Sequence, residues 1–293
     1  SGDLMSQGNV DLNAPALTNH GRILSAGDLS LTGTTFTSDG TLQGDTLRLR
    51  QNSIDNQGML TGLNGLMLNS TGGLNNSGAI QSALDLALTL SGDVIAATGS
   101  KITALGDARL SGKALSNQGL ISAKTLEVKG DSLSNGGEIS GVNGLNVTLN
   151  GNLQQQGKML TGGLLNVKAK DISNSGQLQG ADTQISASSL TNGGRVQGDS
   201  GLTLTLLNAL TNQAGGVLLS QNALNLTAPE LTNDGTIQGN GQTTLSAVTQ
   251  ARNGGNILSG GDLTFTTPDY SGSGWLQATN LMLNVAKLAS NGT

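Results

Sequence analysis

At 293 residues the chain is long enough for two average domains, yet it has no cysteine, only four aromatic side chains (Phe36, Phe265, Tyr270, Trp275) and 45 glycines. So few rings exclude an ordinary aromatic-packed globule and require a core of many small aliphatic contacts. A net charge of -5, from 19 acidic and 14 basic residues spread thinly, excludes a nucleic-acid surface, since even Lys168 and Lys170 are followed at once by Asp171.

The first clear element runs Leu17-Thr18-Asn19-His20-Gly21-Arg22-Ile23, with Leu29 and Leu31 following at an i, i+2 spacing. Its pattern is apolar, any, Asn, any, Gly, any, aliphatic. The apolar lead residue returns at Phe36, Ile54, Leu74, Val94, Leu115, Leu133, Leu153, Ile172, Leu190, Leu210, Leu231, Ala251, Tyr270 and Leu288. That makes fourteen steps over 288 − 17 = 271 residues, about 19.4 per repeat, each step between 18 and 21 residues. Glycine follows four positions after the lead in thirteen of the fifteen units. At Val94 and Leu210 it slips by one, to Gly99 and Gly215, as a small insertion predicts.

Each repeat alternates with period two, so one set of side chains faces inward and the other outward. No stretch carries a 3.6-residue stripe, and glycine punctuates every unit. About 19 residues hold three short strands and their turns. One such coil cannot bury its own apolar face, whereas stacked coils pair every strand with the coils above and below at about 4.8 Å per step. The expectation is an all-β, right-handed parallel β-helix of about fifteen coils of 18–21 residues, three short strands per coil. It forms one domain over residues 1–293, a rod roughly 70 Å long. Since the pattern is cut at both ends, the chain reads as a fragment of a longer one. A leucine-rich solenoid has a similar period, but its Leu-x-x-Leu-x-Leu consensus precedes Asn, whereas here Asn precedes Gly-x-Ile.

Asparagine fills the third position in ten units: Asn19, Asn56, Asn76, Asn117, Asn135, Asn174, Asn192, Asn212, Asn233 and Asn253. Its amide can bond the same amide one coil away, giving a ladder along the stack, and it tolerates left-handed backbone. The glycines two residues on include Gly21, Gly58, Gly78, Gly119, Gly137, Gly176, Gly194, Gly235 and Gly255. They are expected to supply positive φ at a turn. Both sets are read as residues of the fold.

With these residues in view, the Leu-x-Asn-x-Gly-x-Ile-x-Ser/Gly units, best seen in Leu190–Leu204 and Leu231–Leu245, resemble the filamentous haemagglutinin repeats of two-partner-secreted exoproteins. That group includes filamentous adhesins and the toxin carriers of contact-dependent growth inhibition, and the resemblance covers essentially the whole chain. It implies export across the outer membrane through a partner transporter, location at the bacterial cell surface, and a stalk that presents adhesive or toxic regions. A second reading is a segment that itself recognises a receptor protein or glycan on a target cell.

A search for chemistry returns no catalytic, cofactor or metal residues and no small-molecule substrate site. Enzymes on this fold carry long loops that wall a cleft, and repeats of 18–21 residues leave no room for one. Acidic residues such as Asp28, Asp45, Asp199 and Asp262 are scattered through turns rather than paired for acid–base work. The single histidine, His20, reads as a solvent-facing turn residue. Neither a calcium-binding Gly-Gly-x-Gly-x-Asp repeat nor a phosphate loop occurs. One column stands out: the outward position after the repeat glycine, mostly polar, carries Met59, Leu120 and Trp275, which are the candidate interface residues.

Overall fold

Alternation with an inward apolar or asparagine side chain at every second position dictates strands. The computed structural model describes residues 2–291 and holds 31 strands, with no helix among the described residues. They form a parallel β-solenoid of about fifteen turns. Each strand bonds in parallel to its counterpart one turn away: Leu29 pairs with Leu47, and Leu47 with Leu66. Contacts divide the chain into two compact units, Ser1–Leu145 and Asn146–Thr293.

In the first unit, a single turn shows how the repeat works. Ile54 and Asn56 point inward from the strand Ser53–Asn56. After a two-residue corner, Met59–Ser70 turns Leu60 inward on a second face, then Leu66 and Leu68 on a third. Stacking converts these positions into continuous columns. Phe36, Ile54, Leu74, Val94 and Leu115 follow one another in register, each almost fully buried. A buried aliphatic side chain contributes about 1.5–3 kcal/mol, so burial grows linearly with turns while conformational entropy offsets most of it. At the unit's start Leu17 is only half-buried.

The second unit repeats the plan with longer strands. Gln177–Asn192 and Arg195–Asn212 each run through two corners, with register shifts at Gly180/Asp182 and Ala187/Ser189 where the chain changes face. Leu153, Ile172, Leu190, Leu210, Leu231, Ala251 and Tyr270 make its buried lead column. Tyr270 packs edge-on against Phe265 at 5.7 Å and 88°. Burial raises the pKa of its phenol, against the opposing effect of a hydrogen bond with Asn253. Leu288, the last lead residue, is exposed, and the glycine that follows it, Gly292, lies outside the described residues.

Two details of the turns differ from expectation. The repeat glycines do not have positive φ, and neither does any asparagine: among the described residues positive φ belongs to glycine alone, at Gly99 (81°), Gly215 (85°) and Gly272 (156°), none of which is a repeat glycine. The repeat glycines are required by close approach instead. A Cβ on Gly58 would collide with the carbonyl oxygen of Gly40, and one on Gly176 with that of Gly157, because each turn lies directly on the one before. The slip at Val94 and Leu210 is also two residues rather than one. Ser100 and Gly216 take the column position, as their carbonyls accept from Leu120 N and Thr236 N. Gly99 and Gly215 are third in extra four-residue turns closed by Ser100 N to Ala97 O (3.0 Å) and Gly216 N to Gln213 O (2.8 Å). That is where a type II turn demands φ > 0.

Candidate interaction surface

The asparagines sit inward, where an amide with no partner would be costly. All ten are buried. Within the first unit, Asn56 Nδ2 donates to Asn76 Oδ1 and Asn117 Nδ2 to Asn135 Oδ1, both at 2.8 Å, while Asn19 donates to Ser38 Oγ at 3.1 Å. Within the second, Asn174, Asn192, Asn212, Asn233 and Asn253 form an unbroken run of four bonds at 2.8–2.9 Å. Each Nδ2 is shared with nearby carbonyls, as Asn56 with Gly58 O and Ala79 O. The column is sealed from solvent, and its geometry serves the stack rather than a ligand.

Outward charges pair between neighbouring turns. Arg48 bonds Asp28 at 2.5 Å, Arg252 bonds Asp234 at 3.0 Å, and Arg22 bonds Asp3. The hydrogen bonds from Arg22 and Arg48 hold the carboxyls of Asp3 and Asp28 below the usual carboxylate range. These groups are solvent-exposed, so the pairs contribute little to stability. His20, at a turn, meets Asp39 one turn later at 2.9 Å. No hydroxyl bonds its other ring nitrogen among the described residues. No group of three His, Asp or Glu able to hold a metal occurs among them either.

The column of Met59, Leu120 and Trp275 is outward as read. Trp275 is 57% exposed, and its backbone bonds Gly255 O and Asn253 Nδ2 without engaging the indole. Met59 is exposed and Leu120 half-buried, with Ala79 and Lys101 between them in the same column, so those two do not form a patch. Once the two-residue insertions are placed, Lys101 and Val217 also belong to this column.

Sequence reasoning missed a different feature. Leu63, Leu84, Leu105 and Val142 are exposed at the corner between the second and third faces of the first unit. The available signal was an apolar residue just past the end of the second strand, where other turns carry Asp45, Asp199, Gln221 or Asn240. Throughout the described chain, no connection between consecutive strands exceeds four residues. No loop therefore stands over any face, and the chemistry available is that of a regular, ridged outer surface.

The family described as haemagglutinin repeat matches residues 1–78, 44–95, 79–157 and 195–266. The chain is 67% identical to a "tRNA nuclease CdiA" of Escherichia coli strain STEC_O31, with 96% of this chain and 10% of that protein aligned. It is 42% identical to a "Toxin CdiA" of Escherichia coli over the same shares. It is 40% identical to a "16S rRNA endonuclease CdiA" of Enterobacter cloacae subsp. cloacae, over 99% of this chain and 8% of that one. The chain thus spans about a tenth of the length of the curated relatives it matches. No solved structure matches it.

Proposed function

The chain belongs to the haemagglutinin repeat family, and on that premise we propose that it is a stalk segment of a secreted bacterial surface filament, a rigid spacer that holds adhesive or toxic regions away from the cell. The observation that carries this reading is the absence of any connection longer than four residues among the described strands. A binding or catalytic cleft on a parallel solenoid needs walls, and walls need loops. Inward columns that repeat every turn instead favour stiffness and length, because each turn is stabilised by its neighbours. The relatives are named for nuclease and toxin activities, but those names describe proteins about ten times longer. We assign no catalysis to this segment. Export through an outer-membrane partner transporter and display at the cell surface follow from the same family reading.

The test is binding of the purified, labelled chain to intact Gram-negative bacteria and to animal cells, beside the variant Trp275→Ala. A spacer shows no saturable binding to either cell type, and the variant keeps the parent's melting temperature because the indole is exposed. Saturable binding that protease treatment of the cells abolishes would replace the stalk with a receptor-recognising segment.

A further inference from the structure

The missed corner of the first unit carries more than scattered apolar residues. In five successive turns this corner carries Leu63, Ala83 with Leu84, Leu105, Lys124 and Val142. Ala83 is in register with Leu63 and Leu105, and Leu84 stands one residue further toward the third face. The turns follow from the register Gly62↔Ser82, Ser82↔Ala104 and Thr103↔Ser122, and from Ser140 Oγ bonding Ser122 Oγ. Leu105 is 78% exposed and Val142 67%, unusual for aliphatic side chains on ordered backbone. Four steps of about 4.8 Å make this a ridge roughly 19 Å long. Beside it, on the side of the third face, stand Asp85 and Asp107. Asp85 Oδ1 accepts the backbone N–H of Asp107 at 2.9 Å, but neither carboxylate meets a cation, and Lys124 meets no carboxylate, among the described residues.

We propose that this ridge is a self-association surface, on which a second copy of the chain lies antiparallel about a two-fold axis through Leu105. The charge pattern selects the arrangement. With Leu105 against Leu105, Leu63 faces Val142, and Lys124 of each copy reaches Leu84 and Asp85 of the other. Two identical cation–carboxylate pairs then flank the central Leu105 contact, with the Leu63–Val142 contacts outside them. Parallel copies in register would instead set Lys124 against Lys124. A second copy also supplies, by construction, apolar side chains at the same spacing, which an unrelated partner has to match by chance. The contact is short and narrow, so the dimer is weak and reversible. This pairing does not depend on the stalk reading.

Sedimentation equilibrium of the full 293-residue chain tests it. The parent is expected to dimerise reversibly, with half-association on the order of 100 µM, more weakly in high salt. Leu105→Glu brings two carboxylates together on the axis and abolishes the dimer. Lys124→Glu weakens it at least about tenfold, and Lys124→Glu combined with Asp85→Lys restores it to within about threefold, each variant keeping the parent's circular dichroism. A parent that stays monomeric up to about 1 mM overturns the proposal. So does association that survives Leu105→Glu, which is the signature of stacking through open strand edges. A failed charge swap overturns the antiparallel arrangement.

Discussion

The asparagine column is built from the same residue type in both units, yet it behaves differently in each. In the second unit five asparagines in succession bond one to the next, from Asn174 to Asn253. In the first, Ser38 and Ala96 interrupt the run and leave pairs: Asn19 with Ser38, Asn56 with Asn76, Asn117 with Asn135. The interruption has a visible consequence. Every asparagine donor points to the following turn, so an asparagine that no asparagine precedes gets no ladder bond to its oxygen. Asn117, after Ala96, takes Gly119 N instead, while Gln155 gives its amide to Gln177 O. Asn56 Oδ1, which follows Ser38, and Asn174 Oδ1, which follows Gln155, are buried and lack a partner. The fold accepts a broken ladder because the Nδ2 groups also bond backbone carbonyls, and even the continuous run has one such orphan, at its first member Asn174.

The sharpest way to break this contrast is Asn212→Ala, in the middle of the continuous run. It removes two ladder bonds and opens a cavity, and about 3 kcal/mol of stability should be lost. Hydrogen exchange should show the loss concentrated in the adjoining turns, since a solenoid transmits strain mainly to its neighbours. Next in size is Gly176→Ala, which drives a methyl group into the Gly157 carbonyl and should cost about 2 kcal/mol in urea unfolding. Gly215→Ala meets no atom but must hold φ near 85°, and about 1 kcal/mol is expected by the same measurement. Equal costs for the two would mean that close approach and backbone conformation are not separate demands. The smallest effect has the opposite sign. Ser38→Asn supplies Asn56 Oδ1 with its missing donor, and should add about 1 kcal/mol and raise the melting temperature by roughly 2–4 °C.

Much of this architecture was legible before any coordinates. Leu-x-Asn-x-Gly-x-Ile recurring every 19 or so residues is enough for inward and outward columns, because period two and a constant turn length leave one way to bury the apolar set. The role of the repeat glycines was not legible. Their spacing is identical whether they serve positive φ or close approach, and only the stacked backbone shows which atom a Cβ would strike. The two-residue insertions were misjudged for the same reason, since Gly99 and Gly215 mimic the repeat glycine in sequence while Ser100 and Gly216 hold its place in space. Met59, Leu120 and Trp275 stood out because they share a column, but the corner ridge did not, as its residues lie at the boundary where the alternation stops.

By itself, then, the sequence determined the repeat, the strands and the identity of every inward column, since these depend on periodicity and on the need to bury apolar surface. What only the tertiary structure decided is which side chains meet across turns. The ladder's direction and its orphaned oxygens, the His20–Asp39 pair and the line from Leu63 to Val142 all join residues about twenty apart or more. They become neighbours because stacking brings each turn to within one strand spacing of the next, and local pattern carries no record of that distance.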